Sequence, residues 1–395
     1  MTAIFLVWNN KGLALAADQN VSMTRTNEDG KVETLWTETE SKIFQVPNQK
    51  VVIASSGAGT INNIPINGIL SQWATEVAPN FADLATFAES FVKWLDNSTL
   101  EDQFKYGFTT NYRIERLLKA LSTKLADLPD DEPTTVMNNL FDYWESKEFP
   151  LLCGPGLNDY VKRHDWTDSS RPLALDFLNR FADYQQTESV TAYNIETLEN
   201  MFDEQFEKVF ERPYSAQSDW EFNLKARCLR YVMSYVDSDD NEPAVLMFAG
   251  YGREDWTPTC VILRVWSYDL SLARISLDRI NTPTWVWYED IGQNDQINTF
   301  LNGIDWNIET ALQKFVSTNV TDGVIEQEHA DIFQNRLDEL TNTRIESMRN
   351  KINSLPVTKL EFIARQFVEL ESLASFLVEN LPSVGGDIDS VVISR

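Results

Sequence analysis

Residues 1–18 read MTAIFLVWNNKGLALAAD, an apolar run, a turn-forming cluster and a second apolar run that ends in aspartate. The cluster at 9–12 is typical of a tight reversal, so the stretch predicts a hairpin of two strands, 3–8 and 13–17. Residues on both faces of each strand are apolar, which indicates a sheet that is covered on both sides. Asp18 follows the second strand directly.

Strand and helix patterns then follow each other in blocks. The other predicted strands, short apolar or alternating runs between turn residues, are 21–26, 32–37, 42–46, 51–54, 244–249, 259–266, 285–288 and 389–394. The predicted helices, in which apolar residues recur at helical spacing, are 66–77, 84–95, 295–301, much of 307–352 and 359–379, with a further helix-rich block at roughly 100–240. Because the strands come in hairpins and not singly between helices, the order predicts an α+β layer protein.

The composition excludes several classes of partner. The 395 residues carry 60 acidic and 33 basic side chains, a net charge of -27, which would repel nucleic acid and an anionic membrane alike. No apolar run approaches the ~20 residues that span a bilayer, and residues 1–8 lack the basic flank and cleavage site of a signal peptide. We therefore expect a cytoplasmic protein with no nucleic-acid or membrane partner.

Cysteines and histidines are few and scattered. Cys153, Cys228 and Cys260 are far apart and odd in number, so they predict neither a disulfide framework nor a zinc site. His164 and His329 have no second ligand at metal-binding spacing. We expect no metal, no cofactor and no histidine-based triad.

The start of the chain carries the residues of a different chemistry. If Met1 is removed, Thr2 offers a nucleophilic hydroxyl and a basic α-amine on one residue. Asp18 and Lys42 follow it, and a buried lysine beside an aspartate would keep that amine neutral enough to accept a proton. The pattern therefore predicts an active site at the first residues.

In several segments the sequence resembles proteasome β-type subunits and their bacterial heat-shock peptidase relatives. The matching segments, all in that family's order, are Thr2-Ala3-Ile4, Leu15-Ala16-Ala17-Asp18, Lys42-Ile43-Phe44-Gln45-Val46, Ser55-Ser56-Gly57, Phe248-Ala249-Gly250-Tyr251-Gly252, Asp290-Ile291-Gly292 and Val384-Gly385-Gly386. The resemblance implies an N-terminal-nucleophile (Ntn) hydrolase fold, a four-layer αββα sandwich of two antiparallel sheets between helices. Residues 1–99 and 241–395 would form the core, and 100–240 would be a helical insertion.

The resemblance also assigns roles to four residues. Thr2 would be the nucleophile, and Lys42 would lower the pKa of its α-amine below the usual range. Asp18 would pair with Lys42 and keep it charged despite burial. The backbone N–H of Gly57 would stabilise the oxyanion, since glycine lets a substrate approach the chain closely.

Supporting positions differ from the family pattern. Asn20 stands where an arginine is common, and Gly292-Gln293-Asn294 replaces a Gly-Ser-Gly turn, which leaves Gln293 or Asn294 to supply a hydrogen bond. Ser383 stands in the segment where the family has an aspartate. These four residues, Asn20, Gln293, Asn294 and Ser383, are the candidates for supporting the nucleophile.

Three functions fit these residues. The first is a proteasome-like threonine peptidase, acting on peptides or proteins through an ester on Thr2 that water resolves. In the second, an acyl-transfer enzyme, an amine resolves that ester. The third is a non-catalytic assembly subunit, because family members stack into rings, and a homo-oligomer is expected in each case.

Overall fold

The structure, a computed structural model, describes residues 2–26, 32–61, 64–76, 81–96, 108–127, 132–147, 149–150, 192–214, 219–236, 243–269, 272–280, 287–378 and 384–395. The strands in these ranges are β1 (Ala3–Asn9), β2 (Gly12–Asp18), β3 (Asn20–Thr26), β4 (Val32–Thr39), β5 (Ile43–Gln45), β6 (Val51–Gly57), β7 (Thr60–Ile61), β8 (Ile64–Pro65), β9 (Phe149–Pro150), β10 (Tyr235–Val236), β11 (Ala244–Gly250), β12 (Thr259–Asp269), β13 (Leu272–Ile280), β14 (Trp287–Gly292) and β15 (Ile388–Ser394). The helices there are α1 (Ile66–Glu76), α2 (Leu84–Asp96), α3 (Phe108–Asp127), α4 (Pro133–Lys147), α5 (Ala192–Phe210), α6 (Asp219–Ser234), α7 (Asp295–Asn302), α8 (Trp306–Thr321), α9 (Gln327–Ser354) and α10 (Val357–Val378).

Nine of the described strands belong to two antiparallel sheets, one of four strands and one of five. The first has the order β14-β1-β2-β15 and the second the order β13-β12-β11-β6-β5. β1 and β2 form the predicted hairpin at the centre of the first sheet, in a register that places Ile4 opposite Ala17. The predicted α+β class is therefore confirmed, and the second sheet joins strands from before and after the long helical region.

The hairpin is apolar on both faces because both faces are covered. Every residue of β1 and β2 is buried. Ile4 and Leu6 point into an apolar cluster shared with the second sheet, where Met247 lies. Phe5 points the other way, into a cluster with α7 and α10 that includes Leu360. Alternate residues of one strand thus fill two separate cores.

Helices α1 and α2 cover the other face of the second sheet. Trp73 of α1 and Phe91 of α2 make edge-to-face contact, with ring centroids 5.4 Å apart. Phe248 of β11 lies 5.6 Å from Phe91 and 6.2 Å from Trp73. Aromatic rings bury large apolar areas, so this cluster fixes the two helices on the sheet that carries β6.

Helices α3 to α6 form an apolar cluster of their own. Its buried residues are Ile114, Leu117, Leu118, Leu121, Val136, Met137, Phe141, Leu198, Phe202, Phe206, Leu224, Cys228, Leu229, Tyr231 and Val232. All of them fall inside the segment 100–240 that the sequence predicts to be helical.

The structure departs from the predicted elements in the second sheet and in the helical region after α7. β13 was not predicted, and it pairs with β12 at the edge of the second sheet. The helical region predicted at 307–352 is two helices, because the chain turns between α8 and α9, where Gly323 has a φ of +71°. Positive φ is accessible to glycine at little steric cost.

Among the helices that the structure describes, none combines the length and apolarity that a bilayer crossing requires.

Candidate active site

Asp18 is the centre of a buried hydrogen-bond network at the end of β2. Its Oδ1 accepts from Lys42 Nζ at 2.9 Å and from the backbone N–H of Ala3 at 2.8 Å. Its Oδ2 accepts from the backbone N–H of Gly385 at 3.1 Å. Asp18 is 0% exposed, and three donors satisfy its charged oxygens in place of water. One carboxylate therefore connects the start of β1, the segment before β15 and the lysine.

Lys42 lies immediately before β5 and is also buried. Its ammonium donates a second hydrogen bond, to the backbone carbonyl of Asn20. Burial lowers the pKa of Lys42 below its ordinary value of 10.5, and the Asp18 and Glu40 carboxylates oppose that change. A buried lysine with a perturbed pKa and one specific partner is typical of functional sites.

Thr2 lies in a small pocket with Lys42. The pocket has a volume of about 60 Å³ and is lined by Thr2, Glu40, Ser41, Lys42, Ser55, Ser56, Gly57, Ala58, Gly59, Ile66 and Asn67. Its walls come from β6 and the start of α1, together with the segment that leads into β5. Three of the four residues predicted to be catalytic, Thr2, Lys42 and Gly57, thus line one pocket, and Asp18 is bound to Lys42 behind it.

Gly57 ends β6 at the mouth of this pocket. It is exposed and has a φ of +74°, a conformation that side chains other than glycine rarely adopt. The backbone N–H of Ser55, two residues earlier, donates to the carbonyl of Lys42 at 3.0 Å. The strand that carries the predicted oxyanion donor is therefore hydrogen-bonded to the segment that carries the lysine.

Gly292 supports Thr2 in a way that the sequence analysis missed. It has a φ of +87°, and a Cβ at this position would lie 2.0 Å from the carbonyl oxygen of Thr2. The next residue, Gln293, donates its backbone N–H to the same oxygen at 2.5 Å. The sequence signal was a glycine at the end of a strand, which often marks a close approach of two backbones.

Asn20 binds the segment that precedes β15. Its backbone N–H donates to the carbonyl of Gly385 at 3.1 Å. A Cβ at Gly386, whose φ is +75°, would lie 2.7 Å from Asn20 Oδ1. Asn20 therefore stabilises the turn whose N–H binds Asp18, and it also contacts Lys42 through its carbonyl.

The other supporting candidates take different positions. Asn294 donates to the carboxylate of Asp290. Gln293 binds Thr2 through its backbone, while its side-chain Oε1 is buried with no hydrogen-bond partner among the described residues. Ser383 lies outside the described residues.

Two carboxyl groups without a predicted role, the buried Glu371 and the partly buried Asp290, bind residues that follow β14. Glu371 of α10 is 0% exposed and accepts from the backbone N–H groups of Gln296 and Ile297, at 2.6 and 2.8 Å. These donors belong to the first turn of α7, where a carboxylate is favourable. Burial raises the pKa of both Glu371 and Asp290.

The described cysteines and histidine lie away from the pocket. Cys228 and Cys260 are buried free thiols, and burial raises the pKa of Cys228 to about 12. His329 is on α9 beside Glu326, 3.9 Å from its carboxylate. No group of three or more potential metal ligands occurs among the described residues, which do not include Cys153 and His164.

Comparisons with known proteins give a distant structural likeness among solved structures. No family model matches the chain, and no curated protein matches it. Among solved structures the chain is similar to Anbu (ancestral beta-subunit) from Yersinia bercovieri, with a TM-score of 0.25 and 11% sequence identity, over 99% of this chain and 81% of that chain.

Proposed function

We propose that the chain is an N-terminal threonine amidohydrolase, a proteasome-like peptidase that acts through an acyl ester on Thr2 once Met1 is removed. The observation that carries the proposal is the array around Thr2. Thr2, Lys42 and Gly57 line one pocket, and Asp18 binds both the lysine and the N–H that follows Thr2 in the chain.

Each group then has one task in the reaction. The Thr2 hydroxyl attacks the substrate carbonyl, and the freed α-amine takes its proton. The Lys42 ammonium, held by Asp18, keeps that amine unprotonated near neutral pH. The Gly57 N–H donates to the oxyanion of the tetrahedral intermediate. The α-amine returns the proton to the departing amine. Water then attacks the ester, which releases the acyl part as a carboxylate and regenerates the hydroxyl.

We further infer a four-layer αββα sandwich with an inserted helical segment. In support, one face of the first sheet packs on α7 and α10, its other face meets the second sheet, and that sheet's far face carries α1 and α2. The separate cluster of α3 to α6 supports 100–240 as the insertion.

A homo-oligomer that acts on peptides or proteins is part of the same proposal. Helices α8, α9 and α10 expose large apolar side chains: Phe315, Ile332, Phe333, Leu340, Phe362, Leu373, Phe376 and Leu377. We infer that copies associate through these side chains, since contiguous exposed apolar patches are typical of interfaces.

Substitution of Thr2 tests the reaction. Wild type, Thr2→Ser and Thr2→Ala are compared on a mixture of fluorogenic peptide amides, with Thr123→Ala, an exposed position on α3, as the matched control. We expect Thr2→Ser to retain part of the activity, since it keeps the hydroxyl, and Thr2→Ala to lose at least a hundredfold. Activity that survives in Thr2→Ala, in protein whose circular dichroism matches wild type, would contradict the proposal.

A further inference from the structure

A second pocket lies at the opposite end of the second sheet. Val51, where β6 begins, pairs with Gly250, where β11 ends, whereas Gly57 at the Thr2 pocket pairs with Ala244. The two pockets are therefore separated by the length of a seven-residue strand, about 20 Å. The second pocket has a volume of about 440 Å³, within the range of small-molecule sites.

Cationic side chains dominate this pocket, although the chain as a whole carries a net charge of -27. Lys50, Arg253 and Arg395 line it, against one carboxylate, Asp255. Asp255 Oδ2 already accepts from the backbone N–H groups of Gly252 and Leu84, at 2.7 and 3.1 Å. Burial also raises the pKa of Asp255.

The arginines differ in how they are held. Arg253 pairs with Glu254 at 2.9 Å, but both side chains are more than 60% exposed, and such pairs are weak. The guanidinium of Arg395 lies over the ring of Trp256, 4.3 Å from its centroid, and this contact orients it beside the pocket.

The wall also contains a buried hydroxyl without a partner. Tyr251 is 6% exposed, and its hydroxyl makes no hydrogen bond to any residue that the structure describes. Burial raises the pKa of Tyr251 to about 12, and the nearby Arg395 cation opposes that rise. The phenol is therefore protonated at neutral pH. Its oxygen is closed off from the pocket, and the side chain packs in the core between the two sheets, so Tyr251 supports the pocket wall without offering a donor to a ligand.

We propose that this pocket binds a small-molecule oxyanion, a phosphate or a carboxylate. Lys50, Arg253 and Arg395 supply the charge, and guanidinium groups match the paired oxygens of both anions. The site is independent of the chemistry at Thr2.

Titration with two simple anions tests the site. Inorganic phosphate and succinate are added to the full chain at constant ionic strength, with chloride as the balancing ion, and binding is followed by calorimetry and thermal unfolding. We expect saturable binding of at least one anion. A response to phosphate alone assigns a phosphate ligand, and a response to succinate alone a carboxylate. If neither anion binds saturably, the proposal is wrong.

Charge-neutralising variants locate the site. Lys50→Gln and Arg395→Gln should each weaken binding at least tenfold. Arg336→Gln is the matched control, since Arg336 is an exposed cation on α9 that pairs with Glu339. Equal losses in Arg336→Gln and Lys50→Gln would show that the anion responds to overall charge, which contradicts a defined pocket.

Discussion

The Asp18–Lys42 pair makes the sharpest quantitative prediction. Asp18→Asn is nearly isosteric, but it leaves the buried Lys42 ammonium without a counter-charge. Removing one partner of a buried pair costs about 3–5 kcal/mol. Asparagine offers a single acceptor oxygen where the aspartate carboxylate accepts from Lys42, Ala3 and Gly385. We therefore expect Asp18→Asn to lower the free energy of unfolding by at least ~3 kcal/mol.

A double-mutant cycle assigns this loss to the pair. Lys42→Met removes the stranded charge, so Asp18→Asn/Lys42→Met should be more stable than Asp18→Asn alone. A coupling free energy of about 2–3 kcal/mol is expected from urea unfolding followed by tryptophan fluorescence. The matched control is the exposed pair of Arg336 and Glu339, whose coupling should be far smaller. Additive effects at Asp18 and Lys42, or a loss under ~1 kcal/mol for Asp18→Asn, would refute the reasoning.

The same pair has a defined pH dependence. Burial lowers the folded-state pKa of Lys42 below its unfolded-state value of 10.5. Between these two pKa values the unfolded chain binds more protons than the folded chain, so the free energy of unfolding rises with pH. The Asp18 carboxylate opposes this lowering of the Lys42 pKa. Its replacement by asparagine lowers that pKa further, so the pH range in which stability rises extends to lower pH. As pH rises from 7 towards 10.5, Asp18→Asn should therefore gain more stability than wild type. An equal or smaller gain would contradict a charged, buried lysine.

Three further predictions concern positions around the core. Gly292→Ala should lower the free energy of unfolding by ~1–3 kcal/mol and reduce peptidase activity, whereas Gly68→Ala, on α1 and outside the pocket lining, where a Cβ would meet nothing within 4 Å, should lower neither. Burial raises the folded-state pKa of Glu371 above 4.5, so the free energy of unfolding of wild type should fall as pH rises from 4.5 through the folded-state pKa. Glu371→Gln has no titrating carboxyl at this position, and urea unfolding should show a smaller fall over the same pH range. Cys228 and Cys260 should resist iodoacetamide at pH 8 until the protein is unfolded; peptide mapping that finds either alkylated in native protein would disagree with their burial.

Elements with a local signal were predictable from the sequence. The hairpin of β1 and β2 combines an apolar run, a turn cluster and a second apolar run. β13 lacks such a signal, since its charged residues Asp278 and Arg279 are paired with residues on other strands. Arg264 of β12 pairs with Asp278 at 2.8 Å, and Arg279 pairs with Glu289 of β14. Cross-strand partners of this kind cannot be inferred from the composition of one segment.

The candidate site was predictable only in part for the same reason. Resemblance suggested that Asp18 and Lys42 pair, and the structure brings them together. The donation from Gly385 to Asp18 joins residues 367 positions apart, and it depends on the register of β15 on β2. The contact of Gly292 with Thr2 likewise depends on the pairing of β14 with β1. Register between distant strands is set by the assembled core and not by local pattern.

The most direct test of the central claim is the mass of the N-terminal peptide, before and after incubation with a peptidyl β-lactone. The account predicts a peptide that begins at Thr2 and gains the mass of the acyl group on that residue, with no label in Thr2→Ala. A protein that retains Met1, or an acyl group carried by any other residue, would contradict it.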